Sequence, residues 1–232
     1  MFFAMLVFSM ATRPVNLVEG EFYHVYNRGT DKRLLFRDDT DKQRFIKLLF
    51  ISNSIIRINV RDILRKNKDP FGHKRGVPLV KIGAYCLMPN HFHILLTPAV
   101  EGGVSAFMHK LCTGYSMYFN RRYNRTGTLL EGPFKSSWVD NDIYLKYLYA
   151  YIHLNPLNLR QSEDLDTELS DEATLAFLKS YSYSSLSHYL GMVRPENAII
   201  DSTPFPTYFE TVAEQVGELK EWLLFREEKE KD

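Results

Sequence analysis

The sequence predicts an α+β fold in which four strands form one antiparallel sheet with helices packed on it. Residues 21–140 follow the order strand, helix, strand, strand, helix, strand. Two apolar runs within this range are joined by the turn-forming pair Pro89-Asn90, which indicates an antiparallel hairpin. The order β-α-β-β-α-β is the pattern of a ferredoxin-like sandwich. One helix follows the last core strand directly, and another is expected near the C-terminus.

The remaining elements follow from alternation and periodicity. Residues 21–27 (EFYHVYN) are aromatic and alternate in polarity, which predicts the first strand. Residues 38–56 carry apolar side chains at helical spacing and predict an amphipathic helix. The next stretch, 57–76, is basic and contains Pro and Gly, which indicates an exposed loop. A second helix is expected over residues 104–123, and the last core strand over residues 135–140.

The hairpin carries the first candidate site. Its apolar runs are residues 82–88 and 92–96, and the second strand begins with His91 and His93. Side chains of a strand alternate between the two faces of the sheet, so these two histidines point the same way. Two neighbouring imidazoles can serve as metal ligands. The pattern alone also fits two partly exposed surface histidines.

The second candidate site is a tyrosine-rich helix. It is expected to stop before Pro156, because a proline biases the preceding residue, here Asn155, away from helical geometry. Asn141 or Asp142 is placed to cap its first turn. Tyr151 and Asn155 are four residues apart and therefore lie on one helical face. A phenol one turn before an amide oxygen could meet a metal held by the two histidines. Considered alone, the pattern favours a tyrosine-rich core helix.

Four segments and one weaker echo carry a family resemblance. They are FYHVYNRG (22–29), AYCLMPNHFHILL (84–96), FNRRYNRTGTLLEGPFKSSWVD (119–140), YLYAYIHLNP (147–156) and the weaker YSYSSLSHYLG (181–191). With these motifs the chain resembles the single-tyrosine transposases of the HUH endonuclease superfamily, especially those associated with repetitive extragenic palindromes. The resemblance implies the ferredoxin-like fold. It weakens after Pro156, where Arg160 stands as a displaced version of an arginine usual in the family.

The resemblance implies metal-dependent cleavage and rejoining of single-stranded DNA. His91, His93 and Asn155 would hold Mg²⁺ or Mn²⁺, and Tyr151, on the catalytic helix, would attack the phosphate and form a 5′-phosphotyrosine. The implied partner is single-stranded DNA with hairpin or palindromic ends. We expect a homodimer, with a monomer as the alternative. The rival nucleophiles on this helix are Tyr144, Tyr147 and Tyr149.

Two neighbouring histidines are assigned lesser roles. His153 points elsewhere on its helix and is the weaker candidate ligand. His24 lies on the first strand, and the sequence leaves two alternatives for it: a residue that approaches the metal site, or a packed or surface histidine. With the family's domain in place, residues 1–20 form an N-terminal extension, 21–160 the catalytic domain and 161–232 an acidic extension with a helix. Residues 161–174 are expected to form a loop. The helix carries an apolar stripe that is expected to dock on the core or on a partner chain, made of Phe209, Val212, Val216, Leu219, Trp222, Leu223 and Phe225.

The net charge of +1 hides an uneven distribution of charge. Residues 1–150 carry 22 Lys and Arg against 12 Asp and Glu, whereas residues 151–232 carry 7 against 16, so the halves are +10 and −9. A basic first part suits a nucleic-acid-binding domain. The side chains expected to contact DNA are Arg28, Arg121, Arg122, Arg125 and Lys135. A solvated, basic helix end is the alternative for the three arginines of 121–125.

The cysteines and the apolar start of the chain indicate the cellular compartment. Cys86 and Cys112 do not form a CxxC pair and are expected to be buried thiols, which fits a reducing cytosol. The apolar opening of the chain has no preceding positive residue and is shorter than the about 20 residues of a membrane span, so we expect a cytoplasmic protein without membrane contact. Two other functions stay open: a nucleic-acid-binding module that has lost its chemistry, and a metal-dependent phosphodiesterase that uses water.

Overall fold

The protein is an α+β structure built on one four-stranded antiparallel sheet. The computed structural model describes residues 17–57, 59–66, 69–159, 171–208 and 211–230. The strands are β1 (Phe22–Arg28), β2 (Val80–Met88), β3 (His91–Pro98) and β4 (Lys135–Val139), in the spatial order β2-β3-β1-β4. All neighbouring strands are antiparallel, as the sequence predicts. The predicted Arg160 and the acidic residues 161–170 lie outside the described ranges.

Seven α-helices are described. They are α1 (Asp39–Ile51), α2 (Val60–Lys66), α3 (Gly103–Arg122), α4 (Asp142–Leu154), α5 (Asp171–Ser180), α6 (Leu186–Tyr189) and α7 (Val212–Glu230). In chain order β1, α1, β2, β3, α3 and β4 reproduce the predicted alternation of strands and helices. Within the described ranges, no helix combines the length and hydrophobicity needed to cross a bilayer.

The two faces of the sheet are covered by different helices. Phe92 and Ile94 of β3 are fully buried on one face, together with Phe45 of α1 and Phe107 of α3. The other face is covered by α4, whose Leu148 packs in a second cluster with β-strand side chains. Because strand side chains alternate, the histidines that flank Phe92 point toward α4.

Helix α1 is shorter than predicted, ending at Ile51 instead of continuing to Ile56. The cause is the buried side chain of Asn53. Its Nδ2 donates to the carbonyl of Val80 (2.8 Å), and its Oδ1 accepts from the amides of Leu79 (2.8 Å) and Val80 (3.0 Å). The chain therefore leaves the helix to bind the beginning of β2.

Two segments predicted as loops contain helices. The basic stretch after α1 includes α2, whose Ile63 is buried against the main core. Residues 171–174 begin α5, whose Leu178 is 1% exposed. Both helices are short and amphipathic, and burial of one apolar face against the domain stabilises them more than their own propensity does.

The C-terminal helix α7 packs on α4. The Trp222 ring lies edge-on to Tyr147, with centroids 5.0 Å apart, and Lys146 Nζ is 2.8 Å from Glu218 Oε2. Leu219 is buried beside the end of α4. Of the apolar stripe predicted for this region, the side chains of Phe209, Leu223 and Phe225 lie outside the described part. In the part that is described, the predicted docking occurs on the same chain.

Candidate active site

The sheet places five polar side chains on the face covered by α4. In the β1–β3 register, Tyr26 is opposite His93 and Arg28 is opposite His91. Directly opposed residues of an antiparallel pair point to the same face. His24 precedes Tyr26 by two residues and therefore joins them. The predicted pairing of the two histidines on one face is observed.

The imidazole of His93 contacts the imidazoles of both His24 and His91. His24 Nε2 lies 2.9 Å from His93 Nδ1, and these two rings are stacked with centroids 5.0 Å apart. The His91 ring is edge-on to His93, also with centroids 5.0 Å apart. His91 Nδ1 is bonded to Asn90 Oδ1 at 2.6 Å. His93 Nε2 is buried and has no hydrogen-bond partner among the described residues.

Burial keeps these imidazoles in their neutral form. It lowers the pKa of His24 to about 3 and holds the pKa of His93 well below its usual value. Burial also lowers the pKa of His91, opposed by a side-chain hydrogen bond to Asn155 and helped by the nearby charge of Arg28. Neutral imidazoles present nitrogen lone pairs, which are the form that binds metals.

Helix α4 brings the candidate nucleophile to the histidines. Asn141 caps the helix, because its Oδ1 accepts from the amide of Tyr144 at 2.8 Å. The ring of Tyr151 lies edge-on to both His93 and His24, with centroid distances of 5.4 Å and 6.1 Å. All three side chains belong to one chain.

Asn155 lies at the end of the same helical face. It is 3% exposed, and its Nδ2 donates to the Tyr151 carbonyl at 3.0 Å. Its backbone is helical (φ −51°, ψ −39°), and residues Asn155–Leu159 continue as a 3-10 turn. The predicted departure of Asn155 from helical geometry before Pro156 is therefore wrong. The bond to Tyr151 holds Asn155 against the last turn of α4.

The rival tyrosines of α4 have other surroundings. Tyr149 is buried among aromatic rings, and this burial raises the pKa of its phenol. Burial also raises the pKa of Tyr144. Tyr147 packs against the C-terminal helix, as described above. His153 does not join His91 and His93, because its Nε2 lies 2.8 Å from the hydroxyl of Ser185. Among the contacts described for the tyrosines of α4, the one with His93 is made by Tyr151.

The predicted DNA-contacting residues divide into two groups. Arg28 and Lys135 belong to the face of the histidines, because each is paired across strands with a residue of that face. Lys135 is exposed, whereas Arg28 forms a two-pronged ion pair with Glu131, including Nη2–Oε1 at 2.9 Å.

The other three predicted arginines lie at the end of α3 or just after it. Arg122 is bound to carboxylates of α1 and its N-cap, with Nη2 2.6 Å from Asp38 Oδ2. Arg125 Nη1 donates to Asn120 Oδ1 at 2.9 Å. Arg121 is exposed. The structure does not bring this group onto the histidine face.

The side chains gathered here fit a divalent cation, although one of the three candidate ligands is an amide oxygen and not a His, Cys or carboxylate group. Among the described residues, no group of three or more His, Cys, Asp or Glu side chains is placed to hold a metal ion. The two imidazoles of His91 and His93 would need an oxygen ligand of another type, and Asn155 supplies an amide oxygen beside His91. The buried, unpartnered Nε2 of His93 supports this fit, because such an atom costs free energy unless a ligand satisfies it.

Two further side chains belong to the site: His24, whose role the sequence leaves open, and Tyr26, which the sequence pattern did not single out. His24 contacts His93 directly, and the Tyr26 ring lies 5.0 Å from His24. Burial raises the pKa of Tyr26, while a hydrogen bond with Ser137 opposes the shift. Their two-residue spacing along β1 is the same signal that identified His91 and His93.

The chain is similar to known transposases in sequence and in fold. Residues 23–155 match the family model described as "Transposase IS200 like". A solved structure of a REP-associated tyrosine transposase bound to a REP hairpin is similar at 11% sequence identity and a TM-score of 0.47, covering 84% of this chain and 96% of that one. A search of curated proteins found no significant match.

Proposed function

From the premise that the chain belongs to the IS200-like transposase family, we propose that it nicks and rejoins single-stranded DNA through Tyr151. Membership confirms the resemblance indicated by the sequence motifs. The single observation that supports the assignment of Tyr151 is its ring 5.4 Å from His93, on the face that also holds His91 and ends at Asn155. The strand order β2-β3-β1-β4 supports the ferredoxin-like sandwich of this proposal, in which α4 is the catalytic helix after the last strand.

The proposed reaction is a pair of transesterifications. The Tyr151 phenol oxygen attacks the scissile phosphorus while its proton is released, and the bond from phosphorus to the 3′ oxygen breaks. The products are a 5′-phosphotyrosine and a free 3′-OH, which takes up one proton. Attack by a 3′-OH on the phosphotyrosine reverses these changes and restores the tyrosine. The phosphodiester energy is kept in the covalent link, so no nucleotide cofactor is required.

His91, His93 and Asn155 are the proposed ligands of Mg²⁺ or Mn²⁺. When bound, such an ion would polarise the scissile phosphate and offset the charge that develops on it. The chain's own contribution is positional. Burial keeps both imidazoles neutral, and the bond from Asn155 Nδ2 to the Tyr151 carbonyl fixes the amide one turn below the nucleophile. Two imidazoles favour Mn²⁺, whereas an oxygen ligand and cellular abundance favour Mg²⁺.

The proposed substrate contacts lie at the edge of the site. Arg28 and Lys135 are on the histidine face and would contact phosphates on either side of the cleaved bond. The family resemblance indicates hairpin or palindromic ends as the structure recognised in the DNA. In this proposal residues 21–160 form the catalytic domain. The Tyr151 ring lies beside His93 of the same chain, which supports a site assembled within one chain, and the expected homodimer stays a prediction.

The test is a covalent-adduct assay with a matched control on the same helix. Single-stranded oligonucleotides from the DNA flanking the gene, labelled at the 5′ or 3′ end, are incubated with Mn²⁺ or Mg²⁺ and run on a denaturing protein gel. The variants are wild type, Tyr151→Phe and Tyr147→Phe, which removes a phenol one turn earlier. We expect a metal-dependent adduct in wild type and Tyr147→Phe, and none in Tyr151→Phe.

Two other results would contradict the proposal. Cleavage without an adduct that persists in Tyr151→Phe would indicate a phosphodiesterase that uses water. Binding of every flanking oligonucleotide without cleavage would indicate a nucleic-acid-binding module without chemistry.

A further inference from the structure

We propose that His24 is a positioning residue that selects the tautomer of His93 and thereby keeps His93 Nε2 available as a ligand. The proposal rests on the proposed function, because it concerns one of the metal ligands named there. His24 itself would not bind the ion. Its role is to accept a hydrogen bond from the opposite nitrogen of the His93 ring.

The argument begins with the contact between the two rings. His24 Nε2 and His93 Nδ1 are 2.9 Å apart and both side chains are buried, so this is a hydrogen bond within the protein interior. A neutral imidazole has one N–H donor and one bare nitrogen acceptor. One ring must therefore donate and the other accept.

Only one of the two arrangements is compatible with metal binding. If His24 donated, His93 Nδ1 would be the acceptor and the proton of His93 would be on Nε2, which could not then bind a cation. If His93 donates from Nδ1, its Nε2 keeps a lone pair. Nε2 is the buried atom that has no partner among the described residues, so it is the atom left for the ligand. A partner on the opposite ring nitrogen is the usual way in which proteins orient histidine ligands.

The surroundings of His24 hold its ring in place for this role. In the β1–β4 register His24 is opposite Ser137, and on the other side β1 is bonded to β3. The ring of Tyr26 lies 5.0 Å away, and Tyr151 meets it edge-on at 6.1 Å. A ring confined by two strands and two tyrosines can orient a neighbour with little loss of entropy.

The test compares His24→Phe, which keeps a flat ring but has no acceptor, with His24→Gln, whose side-chain oxygen can accept from His93 Nδ1. His109→Phe, at an exposed position on α3, is the matched control for losing an imidazole. Mn²⁺ affinity is measured by isothermal titration calorimetry, and folding by circular dichroism. We expect His24→Phe to weaken Mn²⁺ binding about 10–100-fold. His24→Gln should recover most of the loss, and His109→Phe should match wild type.

A second measurement reads the tautomer directly and needs neither metal nor catalysis. ¹⁵N NMR of the imidazole nitrogens in metal-free wild type should show the His93 proton on Nδ1. A proton on His93 Nε2 would overturn the proposal, and this result stands even if His24→Phe does not fold. Unchanged Mn²⁺ affinity in a folded His24→Phe would overturn the role of His24 alone. If wild type itself bound no Mn²⁺, the metal site and the role of His24 would both fall.

Discussion

Replacement of Asp41 by alanine should destabilise the protein more than any exposed carboxylate replacement on α1. The Asp41 side chain is completely buried between α1 and α3. It accepts hydrogen bonds from Arg122 Nη1 (2.6 Å), Tyr118 Oη (2.9 Å), Tyr123 Oη (2.8 Å) and the amide of Arg37 (2.9 Å). One carboxylate thus satisfies four donors that join the two helices.

The magnitude follows from what the substitution leaves behind. Asp41→Ala leaves two tyrosine hydroxyls and one backbone amide without their acceptor, and each unsatisfied buried group costs about 1–3 kcal/mol. Arg122 keeps its bond to Asp38, and water reaches the partly exposed tyrosines, so the sum is reduced. We expect a loss of about 3–5 kcal/mol, the range found when one partner of a buried ion pair is removed. Asp38→Ala removes an exposed ion pair and an N-cap, so about 1–2 kcal/mol is expected.

The assay is urea unfolding followed by circular dichroism, with wild type, Asp41→Ala and Asp38→Ala compared at one pH and ionic strength. A loss for Asp41→Ala no larger than that for Asp38→Ala would refute the reasoning, because it would mean that the buried bonds add nothing to helix packing. The same contacts give Arg122 a structural role. Arg122→Ala should therefore lower stability, whereas Arg121→Ala, at an exposed neighbouring position, should leave it unchanged within about 0.5 kcal/mol.

Three further predictions concern packing around α4. Gly83→Ala should cost about 1–3 kcal/mol in urea unfolding, because a Cβ there would lie 2.7 Å from Phe205 Cζ; an unchanged midpoint would show that this ring moves aside easily. Cys86 is buried, which raises the pKa of its thiol, so a thiol-specific reagent at pH 8 should modify it only after denaturant is added; rapid labelling of native protein would contradict this. Trp222→Ala should loosen α7 by about 1 kcal/mol through loss of its ring contact with Tyr147, seen as faster amide exchange in α7 than in wild type. If amide exchange were confined to the ends of α7 in both wild type and Trp222→Ala, the contact of Trp222 with Tyr147 would not be what holds this helix.

Residues that share one element could be placed correctly from the sequence. His91 and His93 are two apart on a strand, and Tyr151 and Asn155 are four apart on a helix. These spacings determine the shared face of each pair without knowledge of the rest of the fold. The same rule places His24 and Tyr26 on one face of β1. The predicted ferredoxin-like order places β3 beside β1, but the spacing does not specify the register of the two strands, which decides that His24 contacts His93.

The errors arose where a long-range partner overrides a local pattern. Residues 38–56 do have helical periodicity. The helix nevertheless ends early, because Asn53 is hydrogen-bonded to Val80 at the beginning of β2, twenty-seven residues further along the chain. The composition of the basic segment after it predicts an exposed loop, because its charges dominate. Helix α2 forms there because Ile63 is buried against the main core. The bond of Arg122 to the buried carboxylate of Asp41 is likewise a contact between residues distant in sequence, and the expected contact of Arg122 with DNA stays a prediction.

The geometry of the site depends on the rotation of α4 about its own axis. Each residue of an α-helix is turned about 100° from the one before, so a shift of one position would take Tyr151 away from His93. Leu148 sets this rotation from the sheet side, and α7 sets it from the other side through Trp222. Trp222 and Leu219 of α7 pack on α4 in the same chain, so the C-terminal region helps to place the Tyr151 ring beside His93.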